Sequence, residues 1–431
     1  MMGGRPIRGA RALGLSLFLC WGVALAENLT QAWDTALAHD RGVRAAARET
    51  DAARAGLDAA RGARHPRLQL ESGYTVLDHE PAARVDLPPL PISQIPQAED
   101  QSLSYSATVT VPLYTGGRIT RGIDAAQAGL DAAAAQETRA VADLKLEVGG
   151  AYLDVLRARR GVEVVERAVA SLEAHAADAE RLFQRGMVAR NHLLAAKVAL
   201  ADARQRAIQA HNRLDLAHAA YNRLLGRALT ETVELAEIEA HPVTEHVEAL
   251  TTRALTQRPE LRAAALQSTA LRHQSAAERA AGSPQMQFGL GVAHQDNRYQ
   301  VHETLRSATL GVRWELYDGG VIRAQAESVA QRAQALTEHQ DDLRTQVALQ
   351  VRQAWLDEQE TEKRVPVARE ALDQSEENLR VARTRYREGI GTNTEVLDAE
   401  SQRTQSYTNY YSAVYDAVHA DLRLRHAVGE L

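Results

Sequence analysis

The sequence predicts a mainly α-helical, internally duplicated chain whose four amphipathic strands complete a transmembrane β-barrel only when several copies join. Three observations lead there. The composition is helical: of 431 residues 45% are hydrophobic and 25% charged, yet only 4% are aromatic, and Ala, Arg, Gln and Glu recur throughout. That bias suits long helices lying against other helices. A pattern of residues recurs at fixed spacing along the chain. Four short segments alternate apolar and polar residues. The formal net charge of −6 lacks the basic footprint of a nucleic-acid binder, and a single cysteine, Cys20, excludes a disulfide scaffold.

At the start, Arg5, Arg8 and Arg11 precede the apolar run Leu13 to Ala26, which closes on Ala24-Leu25-Ala26. This reads as a secretory signal peptide over 1–26, cleaved after Ala26 and removing Cys20. The alternative is a membrane anchor, but the run falls short of the roughly 20 residues a spanning helix needs. Bulky Leu19 before Cys20 argues against lipidation there. No later segment approaches 18 apolar residues, so an exported chain of this kind enters a membrane only as a closed β-barrel.

The repeat is explicit. Leu113-Tyr114-Thr115-Gly116-Gly117 reappears 203 residues later as Leu316-Tyr317-Asp318-Gly319-Gly320. The same shift carries Tyr152-Leu153-Asp154 onto Trp355-Leu356-Asp357, Arg185-Gly186-Met187 onto Glu388-Gly389-Ile390, and Gly226 onto Gly429. Upstream, Ala36-Leu37, Arg44-Ala45-Ala46 and Pro66 match Ala254-Leu255, Arg262-Ala263-Ala264 and Pro284 at a shift of 218. The 15 extra residues of the first copy fall in the Pro-rich stretch Asp78 to Asp100. The expected organisation is a first repeat over 27–226, a linker over 227–247 and a second repeat over 248–431. Each repeat contains a helix, two strands and a long helical hairpin.

The strands follow from period-two alternation. Leu103, Tyr105, Ala107, Val109, Val111 and Leu113 share one face, with Ser104, Ser106, Thr108 and Thr110 opposite. Met286, Phe288, Leu290 and Val292 form a second face, Leu310, Val312, Trp314 and Leu316 a third, and Leu68, Leu70, Ser72, Tyr74 and Val76 a weaker fourth. A sheet on a soluble core would show the same alternation; lengths of 10 to 12 residues fit a tilted membrane strand at least as well. From Arg118 to Arg185 no proline intervenes, which predicts a rod of about 100 Å. Its partner returns over Ala189 to Leu225, and the second copy repeats this over Val321 to Glu388 and Asn393 to Val428, with Pro366 expected to end one helical segment and start another. One globule of this size cannot cover such rods, and four strands cannot close a barrel that needs about eight. Two, three or four copies would each close one.

Here the chain resembles the TolC-like outer-membrane efflux protein family over the whole stretch from Leu29 to Gly429. The resemblance rests on the junctions Pro112-Leu113-Tyr114-Thr115-Gly116-Gly117-Arg118 and Leu316-Tyr317-Asp318-Gly319-Gly320. It rests equally on the hairpin tips Arg185-Gly186-Met187-Val188 and Tyr386-Arg387-Glu388-Gly389-Ile390-Gly391-Thr392, and on Glu395-Val396-Leu397-Asp398-Ala399. It implies a homotrimer with a 12-stranded outer-membrane barrel, four strands per chain, continuous with a 12-helix periplasmic tunnel. It also implies a passive exit duct for a tripartite efflux pump or type I secretion system. The partners would be a periplasmic adaptor, an inner-membrane transporter of RND or ABC type, and outer-membrane lipid. A soluble periplasmic coiled-coil scaffold or adaptor is the competing reading.

The candidate functional residues lie at junctions and tips. Gly116, Gly117, Gly319 and Gly320 lack the spacing of a phosphate-binding loop, with no Lys following, and read as tight strand-to-helix turns. Gly186 and Gly389 read as helix C-caps, with Gly391 a second flexible position. The resemblance further implies that Gly186, Met187, Val188, Gly389, Ile390 and Gly391 meet the adaptor. Glu395 and Asp398, three apart, share a helix face; near a symmetry axis they would form stacked acidic rings that attract cations. By resemblance they line the periplasmic constriction, and Tyr386 matches a tyrosine of its closing network. Gly391 stands where some relatives carry arginine, and His192 where the first hairpin carries aspartate, so the closing salt bridges are expected to be absent or replaced by a pH-sensitive His192 contact.

No nucleophile-elbow or metalloprotease motif appears. The scattered histidines, His175 among them, read as surface polar residues, and no enzyme activity, cofactor or metal is expected. Asp78 to Asp100 and His294 to Thr304 read as outer hairpin loops.

Overall fold

The structure is a computed structural model that describes residues 26–84, 94–240 and 244–431. The signal-peptide reading, Cys20 and the prolines at 88, 89 and 91 fall outside them. Each half runs through the same order of elements. Helices α1 (Leu29–His39) and α2 (Arg41–Gly62), strand β1 (Arg67–Val76) and strand β4 (Gln101–Tyr114) lead into α3 (Arg118–Gln184) and α4 (Arg190–Leu225). Then α5 (Val247–Gln257), α6 (Pro259–Ala280), β5 (Gln285–Gln295) and β6 (Thr304–Arg313) lead into α7 (Val321–Arg387) and α8 (Asn393–Val428). Lengths agree pair by pair: 11 residues for α1 and α5, 22 for α2 and α6, 67 for α3 and α7, 36 for α4 and α8. A short extra pair, β2 (Ala82–Arg84) and β3 (Gln94–Pro96), lies within the long first loop.

Three expectations need correction. The single leading helix is two. Asp40 turns extended (ψ 134°) and its carboxylate caps α2 by accepting from Val43 N at 2.8 Å. In the second half Pro259 opens α6, and the residue before a proline, Arg258, is forced to ψ 123°. Second, β6 ends at Arg313, because its partner β5 begins at Gln285, opposite Arg313. Trp314 and Leu316 continue the alternation with no strand beside them among the described residues. Third, Pro366 lies inside an unbroken α7. Pro366 and Glu362 one turn before it are both exposed, so the carbonyl deprived of its helical partner faces water.

The four long strands form one antiparallel sheet in the order β1-β4-β5-β6. Its register sorts the two faces. Leu68, Val109, Leu290 and Ala308 stand in one row, and Val111, Phe288 and Leu310 in the next. The opposite face carries Gln69, Thr108, Gly291 and Ser307. Pro112, which has no N–H for the ladder, sits where the β4–β5 register shifts. The apolar face is bare: Leu70 is 73% exposed and Leu310 62%. Among the described residues the sheet is open, with β1 and β6 as free edges.

The helices bury themselves in long seams. Next to the sheet, α3 and α7 both flank α6. Alanines at heptad-like spacing (Ala128, Ala132 and Ala135 on α3; Ala326 and Ala333 on α7) are buried here. The small residues let backbones approach closely enough for Ser275 and Ser268 to donate to the carbonyls of Ala326 and Ala333. Farther along, α3 packs on α4 and α8. The largest core gathers Ala36, Val148, Tyr152, Leu156, Tyr221, Leu225 and Tyr415. Counterparts of several of these at the same shifts, Ala254, Val351, Leu424 and Val428, form a second core. Glu27 closes the first. Its carboxylate is held by Arg227 at 2.6 and 2.9 Å and by Tyr221 Oη at 3.0 Å. Tyr152 Oη donates to the Glu27 and Ala236 carbonyls, and burial first, then the Glu27 charge, push its pKa up to about 12. Among the described residues no helix is long and apolar enough to cross a membrane.

Candidate functional site at the hairpin tips and junctions

Each strand enters its long helix through two glycines. Gly116, Gly117, Gly319 and Gly320 all have positive φ, from 61° to 89°, a conformation costly for other residues. A Cβ on Gly116 would also strike Ser283. The second junction adds a cap. Asp318 accepts from Ile322 N at 2.6 Å and Gly320 N at 2.8 Å, and those backbone donors hold its carboxyl below the usual range. At the first junction the weaker Thr115 Oγ1 accepts from Ile119 N at 3.5 Å.

At the far end the two hairpins reverse alike. Gly186 (φ 71°) and Gly389 (φ 78°) are left-handed. Met187 N donates to Leu182 O and Gly186 N to Phe183 O, both at 2.9 Å; Ile390 N reaches Arg385 O at 3.0 Å and Gly389 N reaches Tyr386 O at 3.1 Å. This is the paired Schellman pattern. Its apolar residue normally folds back onto the helix, but Met187 and Ile390 remain 58% and 67% exposed. Gly391, read as a second flexible position, has no positive φ; its requirement is steric, since a Cβ there would lie 2.9 Å from Tyr386 N and 3.0 Å from Arg385 Cβ. Val188 stands at the matching place in the first hairpin.

Glu395 and Asp398 share an exposed face of α8. Glu395 sits in the first turn, its N–H donating at 3.2 Å to the capping Thr392 hydroxyl, where the helix N-terminus favours an acid. Among the described residues neither carboxylate has an ion-pair partner. Tyr386 does not join them: it is buried with Leu379, Ala382, Val396 and Ala399, and its hydroxyl has no hydrogen-bond partner among the described residues. Burial, then the Asp178 charge, raise its pKa. His192 lies half-buried in the first turn of α4, its Nδ1 also unpartnered.

A buried polar network that sequence reasoning missed ties the second hairpin to α3. Ser171 Oγ donates to Glu400 Oε2; Arg403 donates to Glu400 Oε1 at 2.7 Å; Arg383 donates to Ser171 O at 3.2 Å and to Glu400 Oε2 at 3.3 Å. One step nearer the tip Arg387 meets Asp178 at 2.9 Å. His175, expected at the surface, is instead 3% exposed. The available signal was Glu400 standing four residues after core Val396, with Arg403 one turn on. The histidines hold one more surprise: although no contiguous metal motif exists, the β5–β6 turn brings His294, Asp296 and Glu303 together.

Comparison with known proteins adds to this geometry. The family model described as outer membrane efflux protein matches residues 32–227 and 250–430. The outer membrane protein TolC of Vibrio cholerae is 23% identical over 435 aligned positions, covering 99% of this chain and 95% of that protein. Among solved structures, CusC superposes with a TM-score of 0.81 at 17% identity, covering 93% of this chain and 92% of that one. The outer membrane protein VceC from Vibrio cholerae does so with 0.79 at 18%, covering 93% and 96%.

Proposed function

The chain belongs to the outer membrane efflux protein family, and we propose that it is the exit duct of a tripartite export assembly, passive in itself. Three copies would supply twelve strands for an outer-membrane barrel and a matching cylinder of helices in the periplasm. The observation that carries this reading is the sheet. One face is mainly apolar and bare along four strands, with Ser72, His294 and Arg306 only toward one end, the other is mainly polar, and both edges, β1 and β6, lack strand partners among the described residues. A long exposed apolar edge invites pairing with another chain, and in lipid an unpaired edge costs several kcal/mol per group. Copies joined β1 to β6 would remove both penalties, with the apolar face toward lipid and the Ser, Thr and Gly face toward a wet lumen. Exposed Leu194, Val198, Ile208 and Leu216 along α4 supply further surface for a neighbouring copy.

In this reading residues 27–226 and 248–431 are two repeats of one unit joined by 227–247. The tips Gly186-Met187-Val188 and Gly389-Ile390-Gly391 meet a periplasmic adaptor, which links the duct to an inner-membrane transporter of RND or ABC type. Glu395 and Asp398 ring the periplasmic constriction, with Tyr386 and His192 near it.

Fractionation tests the proposal. The mature protein should sediment with outer membranes and run in mild detergent as a heat-modifiable trimer. A monomer soluble in periplasm without detergent would overturn the duct and favour a coiled-coil scaffold.

A further inference from the structure

The outer end of the sheet holds a set of donors that export does not use. His294 near the end of β5 and Asp296 and Glu303 in the following turn each offer one ligand atom, all within 4.8 Å of one another. His294 Nε2 is 3.0 Å from Asp296 Oδ1. Ligand atoms on one metal with bonds of about 2.1 Å stand about 3 Å apart, so this pair already has the separation that two adjacent ligands need. The other imidazole nitrogen, Nδ1, lies 2.8 Å from Thr304 Oγ1, the kind of outer partner that fixes a metal-bound histidine. Tyr105 stacks on the ring with centroids 4.6 Å apart and holds its plane.

Charge points the same way. Glu80 and Glu99 in the neighbouring loop share Arg298, at 3.0 and 3.3 Å. Asp296 and Glu303 have no arginine or lysine partner among the described residues. Two carboxylates this close repel unless a cation joins them. The frame is fixed: buried Asn297 donates from Nδ2 to Gln97 O at 3.0 Å and accepts from Tyr299 N at 3.1 Å. Beside the group opens a cavity of about 560 Å³, lined by Glu71, Ser104, His294, Gln300 and Glu303, with room for water to complete a coordination shell.

We propose that His294, Asp296 and Glu303 bind a divalent first-row transition-metal ion. One imidazole with two carboxylates suits zinc or manganese better than an all-oxygen calcium site. The ion ties the two ends of the β5–β6 turn and fixes the outer rim of the sheet in one conformation. The site lies within one chain, so its test stands whether or not the chain assembles into a duct.

The test uses the full mature protein in detergent, stripped with chelator and titrated with zinc chloride by calorimetry, then with cobalt chloride by absorption. Wild type should take up one tightly bound zinc per chain, show a d–d band with cobalt and melt at a higher temperature with zinc. Glu303→Gln, which can still accept from Asn297 N, should bind zinc at least tenfold more weakly, and His294→Ala should lose the cobalt band. Circular dichroism checks that both variants fold. Unchanged stoichiometry and affinity in both variants would overturn the site, as would wild type that binds neither ion saturably. Binding of calcium or magnesium alone would overturn the assignment to a transition metal.

Discussion

His175 on α3 and Asn393 at the start of α8 meet at 2.7 Å in a contact closed to solvent. The ring of Tyr386 lies 4.9 Å from the imidazole, and Arg383, Asp178 and Glu400 are the charges facing it. This hydrogen bond joins the Ser171–Glu400 network and the Arg387–Asp178 pair in fastening the second hairpin to the long helix of the first.

This contact should loosen in acid. Burial holds the His175 pKa below its ordinary value, so the folded form resists protonation while the unfolded chain accepts a proton near pH 6.5. Above that pH both states are neutral and stability is intact; it falls as pH drops below about 6.5 toward the lowered folded value. Thermal melts between pH 7.5 and 5 should show this decline, and His175→Gln should flatten part of it. His218 and His419, also lowered by burial, keep the remainder. Identical slopes in wild type and variant would exclude His175 as a cause.

Glu400 anchors two arginines from a site 3% exposed. Removing it in Glu400→Ala leaves Arg383 and Arg403 without their buried counter-charge, and breaking such a pair costs about 3 kcal/mol. Denaturant unfolding should register a loss of that order. A change below about 0.5 kcal/mol, the range of ordinary surface substitutions, would mean that the network relaxes freely.

The tips separate capping from docking. Met187→Asp and Ile390→Asp keep the glycines whose positive φ closes each turn, so melting temperature should stay within a degree or two. Binding to the cognate adaptor should weaken at least tenfold, since charge would replace the exposed apolar contact. Full adaptor affinity in both variants would confine the tips to a structural role.

Glu395→Gln combined with Asp398→Asn should lower the cation preference of single channels in planar bilayers, because it discharges the exposed acidic face of α8. Selectivity equal to wild type after the double substitution would place the constriction elsewhere.

Long-range periodicity carried most of the fold. Arg118 to Arg185 shows an uninterrupted helical pattern, and period-two alternation located the strands. Several of the misses share a cause: each depends on a neighbour remote in sequence. Trp314 and Leu316 alternate correctly but leave the sheet because β5 has already ended at Gln285. Glu400 reads as a surface acid until Ser171 and Arg383 arrive from other helices. Asp40 and Pro259 did carry local signals for a break, a capping side chain and a proline, within otherwise helical stretches. Tyr386 was legible as a tip residue, yet its burial was not, since Leu379, Val396 and Ala399 must pack around it first.

Equal helix lengths in the two halves restrict how such a chain can change. One residue added to α3 alone would turn every later side chain by about 100° and lift that tip by about 1.5 Å relative to its twin. An insertion is far better tolerated in the long loop after β1, where the halves already differ, while the two tips differ by exchange of side chains, Val188 against Gly391 and His192 against Glu395.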